Sequence, residues 1–283
     1  MSSSAPLVAA PFIVALAIAL PSLASATPGA RLRTHVEGSL EVSGERRWVG
    51  PDVPEYVPRS LGTLELFLLD EVPEGRFALY REPYGAGSCT VSVDDARNCR
   101  YRLRLYGPDG TLAFDLDPGP LLSRPDHLEI ADVRYVDRTV YLNEACQSYA
   151  REARGRCSAL VAIEPREGRV LWRTRPLVSN DVFLPVGDYL VAGYGFTSER
   201  DFVSLVRRAD GRMLSRVGVR TAPDDLGLAD DGIVRVLCHP EGTEPLVYRL
   251  RIVERKPGIA RLVVVEGPSP RAPAATREPP SRR

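Results

Sequence analysis

The sequence predicts an all-β chain, a small or incomplete β-propeller of about four to five four-stranded blades, on three observations. Stretches of alternating apolar residues fold back on themselves about turns that contain glycine. These hairpins recur at a near-constant interval, and two pairs of cysteines fall at matching offsets from their turn glycines.

Residues 1–26 carry no charged side chain, hold an apolar run from Leu7 to Leu20 and end in Ala24-Ser25-Ala26. Small residues flanking the last position of an apolar run mark a secretory signal peptide, which places the chain in the periplasm or outside the cell. An uncleaved anchor is the alternative, because the positive n-region is missing. No later run is long and apolar enough to span a bilayer. Residues 27–61 read as an N-terminal half-blade and linker, since Ser39-Leu-Glu-Val-Ser-Gly44-Glu-Arg-Arg-Trp48 repeats a Gly-to-Trp spacing found again at Gly168 and Trp172.

Residues 62–266 hold the repeats. Tyr101 to Tyr106 and Thr111 to Leu116 form a hairpin about Gly110, and Leu160 to Ile163 and Val170 to Trp172 form the next about Gly168. Phe202–Val206 turns at Gly211 into Arg212–Val217, and Val247–Val253 turns at Gly258 into Ile259–Val265. From Gly110 through Gly168 and Gly211 to Gly258 the intervals are 58, 43 and 47 residues. Each hairpin follows another: 64–69 with 76–80, 133–136 with 139–142, 182–186 with 189–193, and 226–229 with 233–237. Four strands at a period of roughly 40 to 50 residues describe a blade, whose apolar faces are buried only against neighbouring blades. Residues 267–283 form a Pro- and Arg-rich tail with too few large apolar groups to fold.

Cys89 and Cys99 precede Gly110 by 21 and 11 residues, and Cys146 and Cys157 precede Gly168 by 22 and 11. In an exported chain each pair is expected to close as a local disulfide within the connection between the second and third strands. Cys238 has no counterpart at the matching position, Val247, and is expected to be unpaired. Zinc needs four ligands, whereas Cys238 and His239 stand apart from His35 and His127, so a buried thiol beside a surface histidine is expected.

No Gly-x-Ser-x-Gly elbow, His-Glu-x-x-His helix or phosphate loop is present. The pairs Asp94-Asp95, Asp224-Asp225 and Asp230-Asp231 suit tight turns better than catalysis or calcium binding. The 37 basic and 37 acidic side chains leave no net charge, which removes the cationic excess that nucleic-acid binding needs. Arg151, Arg154 and Arg156 make the second cysteine connection basic, a loop that can grip an acidic partner or simply be solvated.

At Ala162-Ile-Glu-Pro-Arg-Glu-Gly168-Arg-Val-Leu-Trp172 the sequence resembles the repeat of quinoprotein-type propellers, the PQQ-like repeat. The resemblance is close in this unit and partial in the unit ending at Trp48; Met213-Leu214 and Leu112-Ala113-Phe114 stand where tryptophan is expected. It implies that Gly110, Gly168 and Gly211 permit hairpin turns and that Trp172 packs between adjacent blades. Two branches share such repeats, the quinone-dependent dehydrogenases and exported non-catalytic propellers similar to an outer-membrane assembly lipoprotein. The dehydrogenase rings are about twice this length and hold their quinone over calcium beside adjacent cysteines, a pair that this sequence lacks. The expectation is therefore a non-catalytic binding or scaffolding module with no cofactor and with another envelope or extracellular protein as partner. A small quinone- or sugar-directed enzyme is the alternative.

Overall fold

Alternating side chains put one apolar row on each face of a strand, and a sheet that is apolar on both faces has to be sandwiched between others. The structure, a computed structural model, describes residues 52–83, 99–123, 128–146, 155–196, 199–240 and 244–268. It is built from antiparallel sheets taken in chain order. The expected signal segment, most of the stretch expected to form an N-terminal half-blade and most of the expected tail lie outside these residues.

The first blade is β1 (Ser60–Leu61), β2 (Leu64–Val72), β3 (Gly75–Arg81), β4 (Tyr101–Tyr106) and β5 (Leu112–Leu116), hydrogen-bonded in that order. The second is β6 (Leu128–Glu129) and β7 (Val133–Val136), both paired with β8 (Thr139–Cys146), then β9 (Ala159–Glu164) and β10 (Arg169–Arg173). The third runs β11 (Phe183–Val186), β12 (Tyr189–Tyr194), β13 (Phe202–Arg207), β14 (Met213–Gly218). The fourth runs β15 (Pro223–Leu228), β16 (Ile233–Cys238), β17 (Leu246–Lys256), β18 (Ile259–Glu266). The short β6 is an element that sequence periodicity did not show.

Each interface between consecutive blades has its own buried cluster. Phe77 and Phe114 of the first blade pack around Tyr135 of the second, with ring centroids 5.6 and 5.7 Å from the tyrosine. Tyr141, Leu160 and Ala162 meet Phe183, Leu190 and Val206 between the second and third blades. Tyr189, Val203 and Leu205 meet Val236, Tyr248 and Leu262 between the third and fourth. Strand length decides some details that alternation alone misplaces. Asp224-Asp225, expected in a turn, lie inside β15 at a bulge, and the Asp224 carboxylate accepts the His239 backbone N–H. Asp230-Asp231 do lie beside a turn, where Asp231 Oδ1 accepts the Ile233 N–H at 3.1 Å. Asp94-Asp95 fall outside the described residues.

Polar staples run through the apolar stack. Asp132, buried at the start of β7, accepts the N–H groups of Val133 at 2.9 Å and of Phe183, in the third blade, at 3.1 Å. Arg134 bridges Asp132 at 3.0 Å and Asp70, in the first blade, at 3.2 Å. Asn143 accepts the Ala131 and Asp132 N–H groups and donates to the Asp181 carbonyl. Charged and polar groups at such depth are tolerated because each is hydrogen-bonded, and here their partners lie in three successive blades.

Candidate binding surface

The residues singled out for blade packing gather between the second and third blades. Trp172, in β10, donates its indole N–H to the Arg208 carbonyl at 2.8 Å and lies 5.8 Å, centroid to centroid, from Tyr141. Gly211, at φ +69°, sits so close to this ring that an added Cβ would fall 2.5 Å from Trp172 Cε3. Glycine at this turn thus serves both the left-handed backbone and the approach of the indole. Gly168 faces Leu116, and Gly110 faces Tyr56, so other side chains stand in the equivalent place at those turns.

The second cysteine connection carries a disulfide, Cys146–Cys157, with Cα atoms 5.1 Å apart. Both residues are buried, and Leu177 and Phe196 pack against them. Cys99 is also buried and disulfide-bonded; its expected partner Cys89 lies outside the described residues. Of the basic residues assigned to the second connection, Arg156 is exposed beside Cys157, whereas Arg151 and Arg154 lie outside the described residues.

Sequence reasoning missed a larger group of arginines on the outer strands of these two blades. Arg173, Thr174 and Arg175 at the end of β10 and Gly211, Arg212 and Met213 at the start of β14 line a notch of about 280 Å³. Arg173 ends β10 with Arg175 just beyond it, and Arg212 follows the Gly211 turn immediately before β14, on the same notch. Arg173 is neutralised by the buried Glu144, with Nη2 to Oε1 at 2.8 Å, and the same carboxylate accepts the Ser123 N–H and hydroxyl at 2.8 Å each. Among the described residues the Arg175 side chain donates to the Met213 sulfur, at 3.6 Å, and neither Arg175 nor Arg212 forms an ion pair.

From the notch, the basic surface continues to the disulfide. Arg216 lies 4.6 Å over the Phe202 ring and donates to the Leu177 carbonyl, while the Leu177 N–H bonds to the Cys157 carbonyl at 3.0 Å. Burial, and then the adjacent Arg175 charge, hold the Arg216 guanidinium below its ordinary pKa. Two adjacent cations that form no ion pair among the described residues favour an incoming anion on electrostatic grounds. The arrangement can grip carboxylates by paired N–H donors on a rigid sheet rim.

Cys238 is buried and free, and burial followed by the nearby Asp224 and Asp201 charges pushes its thiol up to about 12. That is the environment of an inert structural thiol. His239 is exposed and contacts Asp224 at 3.1 Å, and among the described residues no three His, Cys, Asp or Glu side chains converge on a metal-sized site. No described helix is long and apolar enough to cross a membrane.

No family model matches this chain, and no curated protein matches it. A solved structure to which the chain is similar is the crystal structure of BamB from Moraxella catarrhalis, at 17% identity over 67% of each chain and a TM-score of 0.30. The propeller fold is carried by the four successive antiparallel sheets and the clusters between them.

Proposed function

We propose that the chain is an exported, non-catalytic propeller that binds an acidic segment of another envelope or extracellular protein along the rim between its second and third blades. The observation that carries this reading is the notch in which Arg175 and Arg212 are exposed and, among the described residues, form no ion pair, beside Trp172 and the neighbouring disulfide. Rigid donors lose little conformational entropy when a partner engages, and strand edges offer backbone groups beside the guanidinium forks. The compartment is supported by the apolar leader and the oxidised cysteines.

Trp172 borders the notch and serves as a reporter. A peptide rich in Asp and Glu, titrated into the protein, is expected to shift the tryptophan emission and to bind at least tenfold more weakly when salt is raised from about 0.05 to about 0.5 M, which shortens the screening length about threefold. The double variant R175E/R212E should lose the titration while keeping its unfolding midpoint. Equal binding by the variant, or binding indifferent to salt, refutes the assignment.

A further inference from the structure

Seven large hydrophobic side chains are exposed among the described residues, and four of them, Val247, Ile259, Val264 and Val265, belong to the last two strands of the fourth blade. Single exposed apolar residues need no explanation, whereas a group on one sheet does. One face of that sheet is accounted for, because Val236, Tyr248, Leu250 and Leu262 pack into the cluster shared with the third blade. Alternation sends Val247, Arg249 and Arg251 of β17, and Ile259, Arg261 and Val263 of β18, to the opposite face. Val247 and Ile259 are 48 and 58% exposed there.

The charges on this face are as uneven as its apolar groups. Arg235 of β16 lies directly across from Arg249, Arg251 follows Arg249 on the same side, and Arg261 stands two residues from Val263, the cross-strand neighbour of Arg251. The four guanidinium groups thus form one band across β16, β17 and β18. Arg249 meets two carboxylates, Asp231 at 3.2 Å and Glu266 at 3.7 Å. Arg235, Arg251 and Arg261 are exposed and form no ion pair among the described residues. Like charges directly opposite each other on a sheet face are unfavourable, and an incoming opposite charge relieves them.

We propose that this outer face of the fourth blade docks a partner sheet on one face of which carboxylates and aliphatic side chains are mixed, a contact separate from the notch between the second and third blades. Charge complementarity selects the partner. Its carboxylates meet guanidinium forks that the described residues leave without an ion pair, while its aliphatic groups cover Val247, Ile259 and Val263. A second copy of the chain brings the same arginines face to face, which disfavours it. The side chains themselves disfavour a lipid surface. Interfacial elements insert Trp, Phe or Leu, whereas the aromatic residue of these strands, Tyr248, is buried against the third blade, and the exposed apolar groups are β-branched residues shorter than the arginines around them.

Hairpin peptides of one composition, each closed by an Asn-Gly turn, test the mixing: one carries Glu and Val together on one face and Thr on the other, and its control carries Glu and Val on opposite faces. The full chain carries V247C, whose new thiol reports cover on this face, and R175E/R212E, so that the notch does not contribute; Cys238 is buried and adds little background. The free protein is expected to react with maleimide at the rate of an exposed thiol. The mixed-face hairpin at saturation should slow the reaction about tenfold and bind about tenfold more tightly than its control, and adding R251E/R261E should remove both effects. Equal affinity of the two hairpins, or binding that survives R251E/R261E, overturns the proposal. Slow labelling before any peptide is added also overturns it: protection lost on dilution with a halving of molecular mass identifies a second copy as the cover, and protection independent of concentration identifies another part of the same chain. Protection by vesicles containing an anionic lipid, with none by the hairpin, overturns it in favour of a membrane surface. None of these outcomes bears on the notch, which R175E/R212E tests alone.

Discussion

Asp132 offers a stability measurement whose sign differs from that of an ordinary surface carboxylate. It is 2% exposed, and burial, with Asp70 adding its negative charge, pushes its carboxyl up to about 6 from 3.8. Arg134 and the N–H groups of Phe183 and Val133 pull the other way. Burial prevails because Arg134 is shared with Asp70, so neither carboxylate has the cation to itself. A folded-state pKa above the unfolded value means that the favourable contribution is complete below about pH 4 and is lost as pH rises through 6. The shift is about two pH units, which at about 1.4 kcal/mol each gives about 3 kcal/mol in all, of which about 2 to 3 kcal/mol falls between pH 4 and 7. The perturbation is D132N, which keeps the shape and removes the titration, although it also weakens the hold on Arg134. Urea denaturation of both proteins at several pH values gives the difference in unfolding free energy at each. The wild type is expected to lose about 2 to 3 kcal/mol relative to the variant as pH rises from 4 to 7, most of it between 4 and 6. A difference that stays flat, or that moves in favour of the wild type, refutes the argument from burial.

Gly211 and Gly187 both have positive φ, at +69° and +55°, but an added Cβ meets the Trp172 ring only at Gly211 and meets nothing within 4 Å at Gly187. G187A should therefore cost about 1 kcal/mol for the backbone alone, and G211A about 2 to 4 kcal/mol, read as unequal falls in melting temperature; equal falls would show that the indole yields freely. Replacing both Cys146 and Cys157 by serine opens a loop whose ends are 11 residues apart and should cost about 3 kcal/mol by loop entropy, measured by denaturation under non-reducing conditions. Unchanged stability would show that Leu177 and Phe196 hold the connection without the bond.

The hairpins were legible because alternation and turn glycines are local signals. The strands about Gly110, Gly168 and Gly211 appear within one residue of the expected limits, and those about Gly258 within three. The Cys146–Cys157 bond was legible too, since a short spacing that recurs at the same offset from a turn glycine leaves few alternatives. The arginine notch was not. Arg175 and Arg212 are 37 residues apart, and the packing of Trp172 against the Gly211 turn brings the end of β10 beside the turn that leads into β14. Asp132 and Asp70 give no local sign of sharing Arg134, because their partnership crosses a blade boundary.

By itself the sequence determined the all-β character, the four-strand unit and the positions of the turns, since these follow from side-chain alternation and from the backbone freedom of glycine. Only the tertiary structure decided which face of each sheet meets a neighbour, which arginines find a carboxylate and which are left to solvent. The physical reason is that a strand's alternation is written in adjacent residues, whereas burial and ion pairing depend on distances between blades that no local pattern encodes.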